Sequence, residues 1–425
     1  DKAIALDPKY ATAYANRGNA HLKKGDRARA IADYDKATAL DPKDARVFNN
    51  RGEAYYGEGD YDRAIADYDK AIEIDLKYTR VYVNRGNAYT AKGDHDRAIA
   101  DYDMAVALDP ENAAAYANRG NAYRRKGDYY RAIYEYDKAI ALDPKEAVFY
   151  NNRGRAYDGE GDYDRAIVDY DKAVALDPKY ASAYSNRGNA YLEKGDHDCA
   201  IADYDTAIAL DPKDARVFSN RGAAHARKGD QDRAIADYDT AIEIDPKNAL
   251  AHYNRGTAYQ HKGDHARAIA AYDKAIALDP KKAEAYRRRG YALFNVGDFK
   301  PAALDFLHAA DIGDAYMMMF RYLARARAGE NAAPELEANA ERLKTKVWPY
   351  AAIELLLGRR RPEATLSAAT TPGETCQARF YIGESFLLSG DTAAAGRSLR
   401  SAVDTCPKGF YELDAAQAEL ARLPK

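Results

Sequence analysis

Ala11–Asp44, ATAYANRGNAHLKKGDRARAIADYDKATALDPKD, returns along the chain at an interval of 34 residues. Asn-Arg-Gly recurs at Asn16, Asn50, Asn84, Asn118, Asn152, Asn186, Asn220 and Asn254, and the ninth copy reads Arg288-Arg289-Gly290. Gly-Asp keeps the same interval from Gly25 to Gly297, and Asp-Pro from Asp41 to Asp279, broken once at Asp75-Leu76. Self-similarity of this kind decides the fold before any single residue does, because each copy is one supersecondary unit stacked on its neighbours.

Within the first copy, Ala13, Tyr14, Gly18 and His21 fall on one side of a helix. Gly25 is placed to end that helix in the left-handed conformation, and Asp26 to cap the next. The second helix is predicted over Arg27–Leu40, with Ile31, Tyr34, Ala37 and Leu40 on its inner side, and Asp41-Pro42 stops it. Each copy is therefore a helical hairpin. One hairpin cannot bury both its faces, so the expected fold is all-α, a solenoid of stacked hairpins.

Counting Ala11 as position 1, the anchors are an aromatic at 4, Gly at 8, Tyr or His at 11, Ala at 20, Tyr at 24, Ala at 27 and Pro at 32. This spacing resembles the tetratricopeptide-repeat (TPR) family, which implies that the solenoid winds as a right-handed superhelix. One departure is general: position 7, usually Leu in that family, is Arg in all nine copies, Arg17 to Arg289. Asp at position 25, Asp35 to Asp273, is the expected partner of this arginine between helices. Asp33 and its equivalents at position 23 are expected on other surfaces, with Arg29–Asp33 and Arg63–Asp67 as exposed pairs one turn apart.

The organisation expected is residues 1–10 as the second-helix remnant of a further repeat, 11–316 as nine repeats, 317–375 as degenerate hairpins, 376–407 as another repeat and 408–425 as a capping helix. The remnant implies a piece of something longer. In the C-terminal third, Pro334–Lys346, Trp348–Leu357 and Pro362–Ala369 read as helices, Thr370–Glu374 as a loop and Phe410–Leu423 as a helix covering the last repeat. Trp348-Pro349-Tyr350, Glu354–Gly358, Glu363–Leu366 and Phe380–Gly383 with Leu388–Asp391 resemble the tail of NlpI-type bacterial TPR lipoproteins. That narrower resemblance implies a cell-envelope adaptor and a homodimer. Cys376 and Cys406 sit at positions 1 and 31 of the last repeat, within reach of a disulfide across the open end of the hairpin. A bond there would agree with an oxidising compartment such as a bacterial periplasm.

Composition narrows the function. The net charge is −3, which is no nucleic-acid footprint. No apolar run approaches a membrane span. The 36 tyrosines are largely the repeat anchors. The His residues are dispersed and no catalytic motif stands out, so neither a cofactor nor a metal is expected and the chain is read as non-enzymatic.

In the TPR family, positions 2, 5, 6, 9, 12 and 13 of the first helix line the concave face. The resemblance therefore puts the eight Asn of position 6, Asn16 to Asn254, in a ladder along a groove, joined at position 9 by Asn19, Asn87, Asn121 and Asn189. Such a ladder resembles that of the TPR arm of O-linked N-acetylglucosamine transferase. Asn amides both donate and accept, so they can hold the backbone of an extended peptide. The alternative for the position 6 column is a contact within the hairpins. Basic residues outnumber acidic ones on the lining positions, Arg46, Arg80, Arg124, Arg125 and Arg216 among them, which favours acidic segments or a C-terminal carboxylate. A scaffold binding protein or peptide partners is the leading expectation. A recruiting arm of an enzyme and a self-assembly module are the alternatives.

Overall fold

The computed structural model describes residues 1–309, 314–343 and 345–424, all helix and connection with no strand among them. Two bodies are distinguished, Asp1–Pro212 and Lys213–Lys425. The exit of the ninth repeat, residues 310–313, falls outside the described residues, as do Lys344 and Lys425.

In the N-terminal body a short helix, Lys2–Leu6, precedes six hairpins. Their first helices are Ala11–Lys23, Ala45–Glu58, Thr79–Ala91, Ala113–Arg125, Ala147–Gly159 and Ala181–Glu193. Their second helices are Arg27–Leu40, Tyr61–Ile74, His95–Leu108, Tyr129–Leu142, Tyr163–Leu176 and His197–Leu210. Between helices the turn works as its residues dictate. Gly25 takes φ 80°, and the Asp26 carboxylate accepts from the Arg29 backbone N–H. Each helix packs on the next, and successive first helices also touch one another more closely than successive second helices do. The first helices therefore lie on the inner side of the curve.

The core is one aromatic ring against small residues. Tyr34, Ala30 and Ala37 are fully buried, and the Tyr34 ring lies so close to Gly18 that a Cβ there would meet it at 2.7 Å. Any side chain at position 8 would push the two helices apart.

Position 7 is a staple that takes the expected position 25 carboxylate from the preceding repeat and adds a second partner, position 23 of its own hairpin. Arg153 Nε and Nη2 donate to both oxygens of Asp169 at 2.8 and 2.6 Å, within its own hairpin. Its Nη1 donates to Asp137, at position 25 of the preceding repeat, at 2.6 Å. Arg51, Arg85 and Arg187 are held in the same way, whereas Arg119 donates Nη1 to Asp103 and Nη2 alone to Glu135, which stands in place of Asp, and leaves its buried Nε unpartnered among the described residues. Position 23 is thus buried rather than a free surface: Asp33, Asp67, Asp101, Asp169 and Asp203 are 3–6% exposed. Arg29 and Arg63 pair with the helix-capping Asp26 and Asp60 instead of Asp33 and Asp67.

The C-terminal body continues with hairpins from Ala215–Lys228 to Phe299–Ala309, then Ala315–Arg327 and the shorter helices Ala333–Ala340, Tyr350–Leu356 and Pro362–Ala368. The expected loop at Thr370–Glu374 is largely a helix start. Pro372–Ser389 opens there because Thr371 and Glu374 form a reciprocal capping box. Thr392–Thr405 closes the last hairpin, and Cys376 and Cys406 are joined with Cα atoms 4.7 Å apart. Phe294, Phe306, Phe320, Phe380 and Tyr381 fill the core. Within it Arg327 bridges Glu384 and Glu419 at 3.2 and 3.0 Å. Burial, followed by the Glu419 charge, pushes the Glu384 pKa up to about 8. Among the described residues no helix is long and apolar enough to cross a membrane.

The last helix, Tyr411–Arg422, covers the final hairpin and also reaches back to Ala283–Val296. Tyr411 stacks on Tyr291 at 3.7 Å, Arg288 lies over Tyr411, and Arg422 Nη1 donates to the Asn295 carbonyl at 2.6 Å. Tyr291, Phe294 and Asn295, at lining positions of the ninth repeat, are therefore covered by the chain itself.

Candidate functional site

The expected Asn ladder divides into rungs that are already engaged and rungs that are not. Asn50 Nδ2 donates to Asn19 Oδ1 at 3.0 Å. Asn84 Nδ2 donates to Asn49 Oδ1 at 2.8 Å and Glu53 Oε1 at 2.9 Å, and Asn186 Nδ2 to Asn151 Oδ1 at 2.9 Å. These three join each first helix to the one before. Ahead of Asn118 and Asn152, position 5 is Val83 and Ala117, which offer no side-chain acceptor; among the described residues neither Nδ2 donates a hydrogen bond, while Asn152 Oδ1 accepts from Asn151 Nδ2 at 3.5 Å. Asn16 is exposed on the first repeat; Asn220 and Asn254 belong to the C-terminal body.

Position 9 has a packing duty that the sequence reading missed. The buried Tyr hydroxyl of position 24 donates to it: Tyr34 to Asn19, Tyr102 to Asn87 and Tyr204 to Asn189, each at 2.7 Å, and Tyr136 to Asn121 at 2.9 Å. With Oδ1 fixed on the hydroxyl, the amide nitrogens of Asn87 and Asn121 are left as donors on the inner face. The fifth repeat carries Arg155 at this position, and the hydroxyl of the fully buried Tyr170 has no hydrogen-bond partner. Tyr136→Phe should therefore cost about 1 kcal/mol of stability, whereas Tyr170→Phe should cost nothing or stabilise. Thermal melts of the two variants side by side check this, and equal losses would contradict the assignment.

Three of the expected basic residues are neutralised. Arg46 pairs with Asp44 at 2.9 Å, Arg80 with Glu53 at 2.8 Å and Arg216 with Asp214 at 2.7 Å. Asp44 and Asp214 cap the helices that carry those arginines. Arg124 and Arg125 differ. With Arg155 they line a cavity of about 360 Å³ on the inner face of the second to fifth repeats. Asn87, Asn118, Asn121, Asn152, Tyr56, Thr90 and Tyr102 complete its polar lining, and none of its described lining groups is a carboxylate. Arg124 Nε is buried without a partner. Partial burial and then the Arg124 charge lower the Arg155 pKa. Beside Arg155, Asp158 is pushed up to about 6 by burial and by Glu193. Among the described residues, no cluster of His, Cys, Asp or Glu is arranged to hold a metal ion.

Family models described as TPR repeat match residues 86–127, 120–158, 160–195, 188–229 and 226–263, and tetratricopeptide-repeat models match residues 2–76 and 249–282. No curated protein matches the chain. Among solved structures, a tetratricopeptide repeat protein from Parabacteroides merdae is 20% identical, covering 58% of this chain and 98% of its own, with a TM-score of 0.50. The MamA protein is 32% identical over 40% of this chain and 93% of its own, with a TM-score of 0.36. YrrB, described as a TPR protein with an unusual peptide-binding site, is 28% identical over 43% of this chain and 95% of its own, with a TM-score of 0.36.

Proposed function

Because the chain belongs to the tetratricopeptide-repeat family, we propose that it is an interaction scaffold without chemistry of its own, whose N-terminal body holds an extended acidic segment or a C-terminal carboxylate along its first helices. The observation that carries this reading is the inner-face cavity, where amide nitrogens and three arginines converge and no carboxylate is among the lining residues. Asn118 and Asn152 can hydrogen-bond a peptide backbone whatever its side chains. The arginines supply a field that draws in the opposite charge. Asn50, Asn84 and Asn186 serve the array itself and are not assigned to the ligand.

A library of unmodified, fluorescently labelled peptides offered to the full chain tests this. Peptides rich in Asp and Glu should be selected. The double variant Asn118→Ala, Asn152→Ala should bind them roughly tenfold more weakly, a loss of about 1.4 kcal/mol, with an unchanged melting temperature. Unaltered affinity, or selection of basic peptides, would count against the groove.

A further inference from the structure

We propose that the cavity between Arg124, Arg125 and Arg155 is a seat for a phosphorylated side chain of the bound segment. This rests on the peptide-groove reading and narrows it from acidic residues in general to a phosphomonoester.

The arginines at positions 7 and 19 of the N-terminal body set the contrast. Arg17, Arg51, Arg85, Arg119, Arg153 and Arg187 at position 7 each grip a carboxylate, as do Arg29, Arg63, Arg97, Arg131 and Arg165 at position 19. Arg124, Arg125 and Arg155 have none around one cavity. Burial, and after it the like charge of Arg124, makes Arg155 a weaker base. The arrangement also has a cost inside the fold. Position 9 carries Asn in the repeats on either side, Asn121 and Asn189, and that Asn receives the buried tyrosine hydroxyl. Arg155 takes its place and leaves the Tyr170 hydroxyl without a partner.

A phosphate answers the cavity better than a carboxylate does. A phosphorylated Ser or Thr carries about −1.5 to −2 charges at pH 7 and three acceptor oxygens. Arginine forks match those oxygens in pairs, so one dianion can engage two guanidinium groups. A carboxylate brings a single charge. The donor nitrogens of Asn87 and Asn121, turned inward by Tyr102 and Tyr136, can serve the remaining oxygens or the adjoining backbone. Asp158 follows Arg155 by one turn and stands near Glu193, so negative charge is disfavoured on that side. The phosphate is thereby kept between the fourth and fifth repeats.

The test compares four fluorescein-labelled probes by anisotropy against the full chain: one neutral nonapeptide with a central phosphoserine, the same peptide with Glu, the same with Ser, and a short single-stranded oligonucleotide. The phosphopeptide should bind roughly tenfold tighter than the Glu peptide. The key variant is Arg155→Asn, which restores the neighbouring repeats' residue and gives Tyr170 an acceptor. It should melt at or above the wild-type temperature and yet lose the preference for phosphate, which no loss of folding could mimic. Equal affinity for the phospho and Glu peptides would overturn the phosphate assignment and leave the acidic-peptide reading standing. A preference that survives Arg155→Asn would overturn the cavity as its seat. Binding of none of the peptides would overturn both readings, and tighter binding of the oligonucleotide would overturn the choice of a peptide.

Discussion

Arg153→Ala is expected to destabilise the N-terminal body by about 3–5 kcal/mol, because it leaves a buried carboxylate without its counter-charge. Asp169 is 3% exposed and receives two bonds from Arg153. Asp137, half exposed, receives the third from the preceding repeat. One guanidinium thus ties three helices. In a repeat array, where stability is close to a sum of repeat and neighbour terms, this is a neighbour term made of charge. Burial already raises the Asp169 pKa against the pull of Arg153. Without the arginine the carboxyl rises further above its unfolded value. Stability then is complete below the unfolded pKa and falls as pH rises through the folded one. The deficit of the variant should therefore shrink as the pH is lowered from neutral into the carboxylate range. Urea denaturation at two pH values measures it.

The chain contains its own control. Arg255 faces Ala271 at position 23, so among the described residues its carboxylate partner is the partly exposed Asp239 at 2.6 Å. Arg255→Ala should cost only about 1 kcal/mol, the upper range for a solvent-accessible pair. A loss of similar size at Arg153 and Arg255 would mean that the staple contributes little.

The staple also marks what a repeated sequence can and cannot reveal. Helix ends were legible because Gly25, Asp26 and Pro42 act locally. The core was legible because Gly18, Ala30 and Tyr34 recur at helical spacing. The partner of Arg17 was not. Asp at position 23 and Asp at position 25 repeat with the same period as the arginine, so no count along the chain separates a bond within one hairpin from a bond to the next. The inner face was ambiguous for a related reason. An Asn column at positions 6 and 9 reads as a ligand ladder until Tyr102 and Tyr136 are seen donating to Asn87 and Asn121. The charge census along the lining positions left out capping Asp44 and Asp214, which neutralise Arg46 and Arg216. Of the expected site, Asn87, Asn118, Asn121, Asn152, Arg124 and Arg125 line the inner-face cavity together with Arg155. The signal for Arg155 was available, since it breaks the column of position 9, but its meaning depends on the tyrosine beneath it. In the C-terminal third the period fades, and the start at Pro372 was missed because its capping box lies ahead of the repeat frame.

The disulfide carries the second large effect. Reducing the Cys376–Cys406 bond, or replacing both residues with Ser, should lower the stability of the C-terminal body by about 3–4 kcal/mol on the loop-closure estimate for a span of this length. The two cysteines are 30 residues apart. Cys376 is fully buried in Pro372–Ser389, and Cys406 ends Thr392–Thr405. The bond clamps the open end of the last hairpin, opposite the turn at Gly390 and Asp391. The helix that follows depends on that clamp. Glu412, 4% exposed, accepts from Gln377 and Tyr381 at 3.2 Å each, and Tyr411 stacks on Tyr291. If the hairpin splays, Gln377 moves with Cys376 and the seat of Glu412 is lost. The loss should therefore appear first in residues 411–422, and then in Ala283–Val296, which that helix covers. Hydrogen exchange with and without reductant reads this order. The repeats of Asp1–Pro212 hold no cysteine but Cys199, which is free and exposed, so their exchange should not change. Equal loosening of both bodies under reductant would contradict a clamp local to the last hairpin. Unchanged exchange at 411–422 in the double Ser variant would show that packing alone holds the terminal helix.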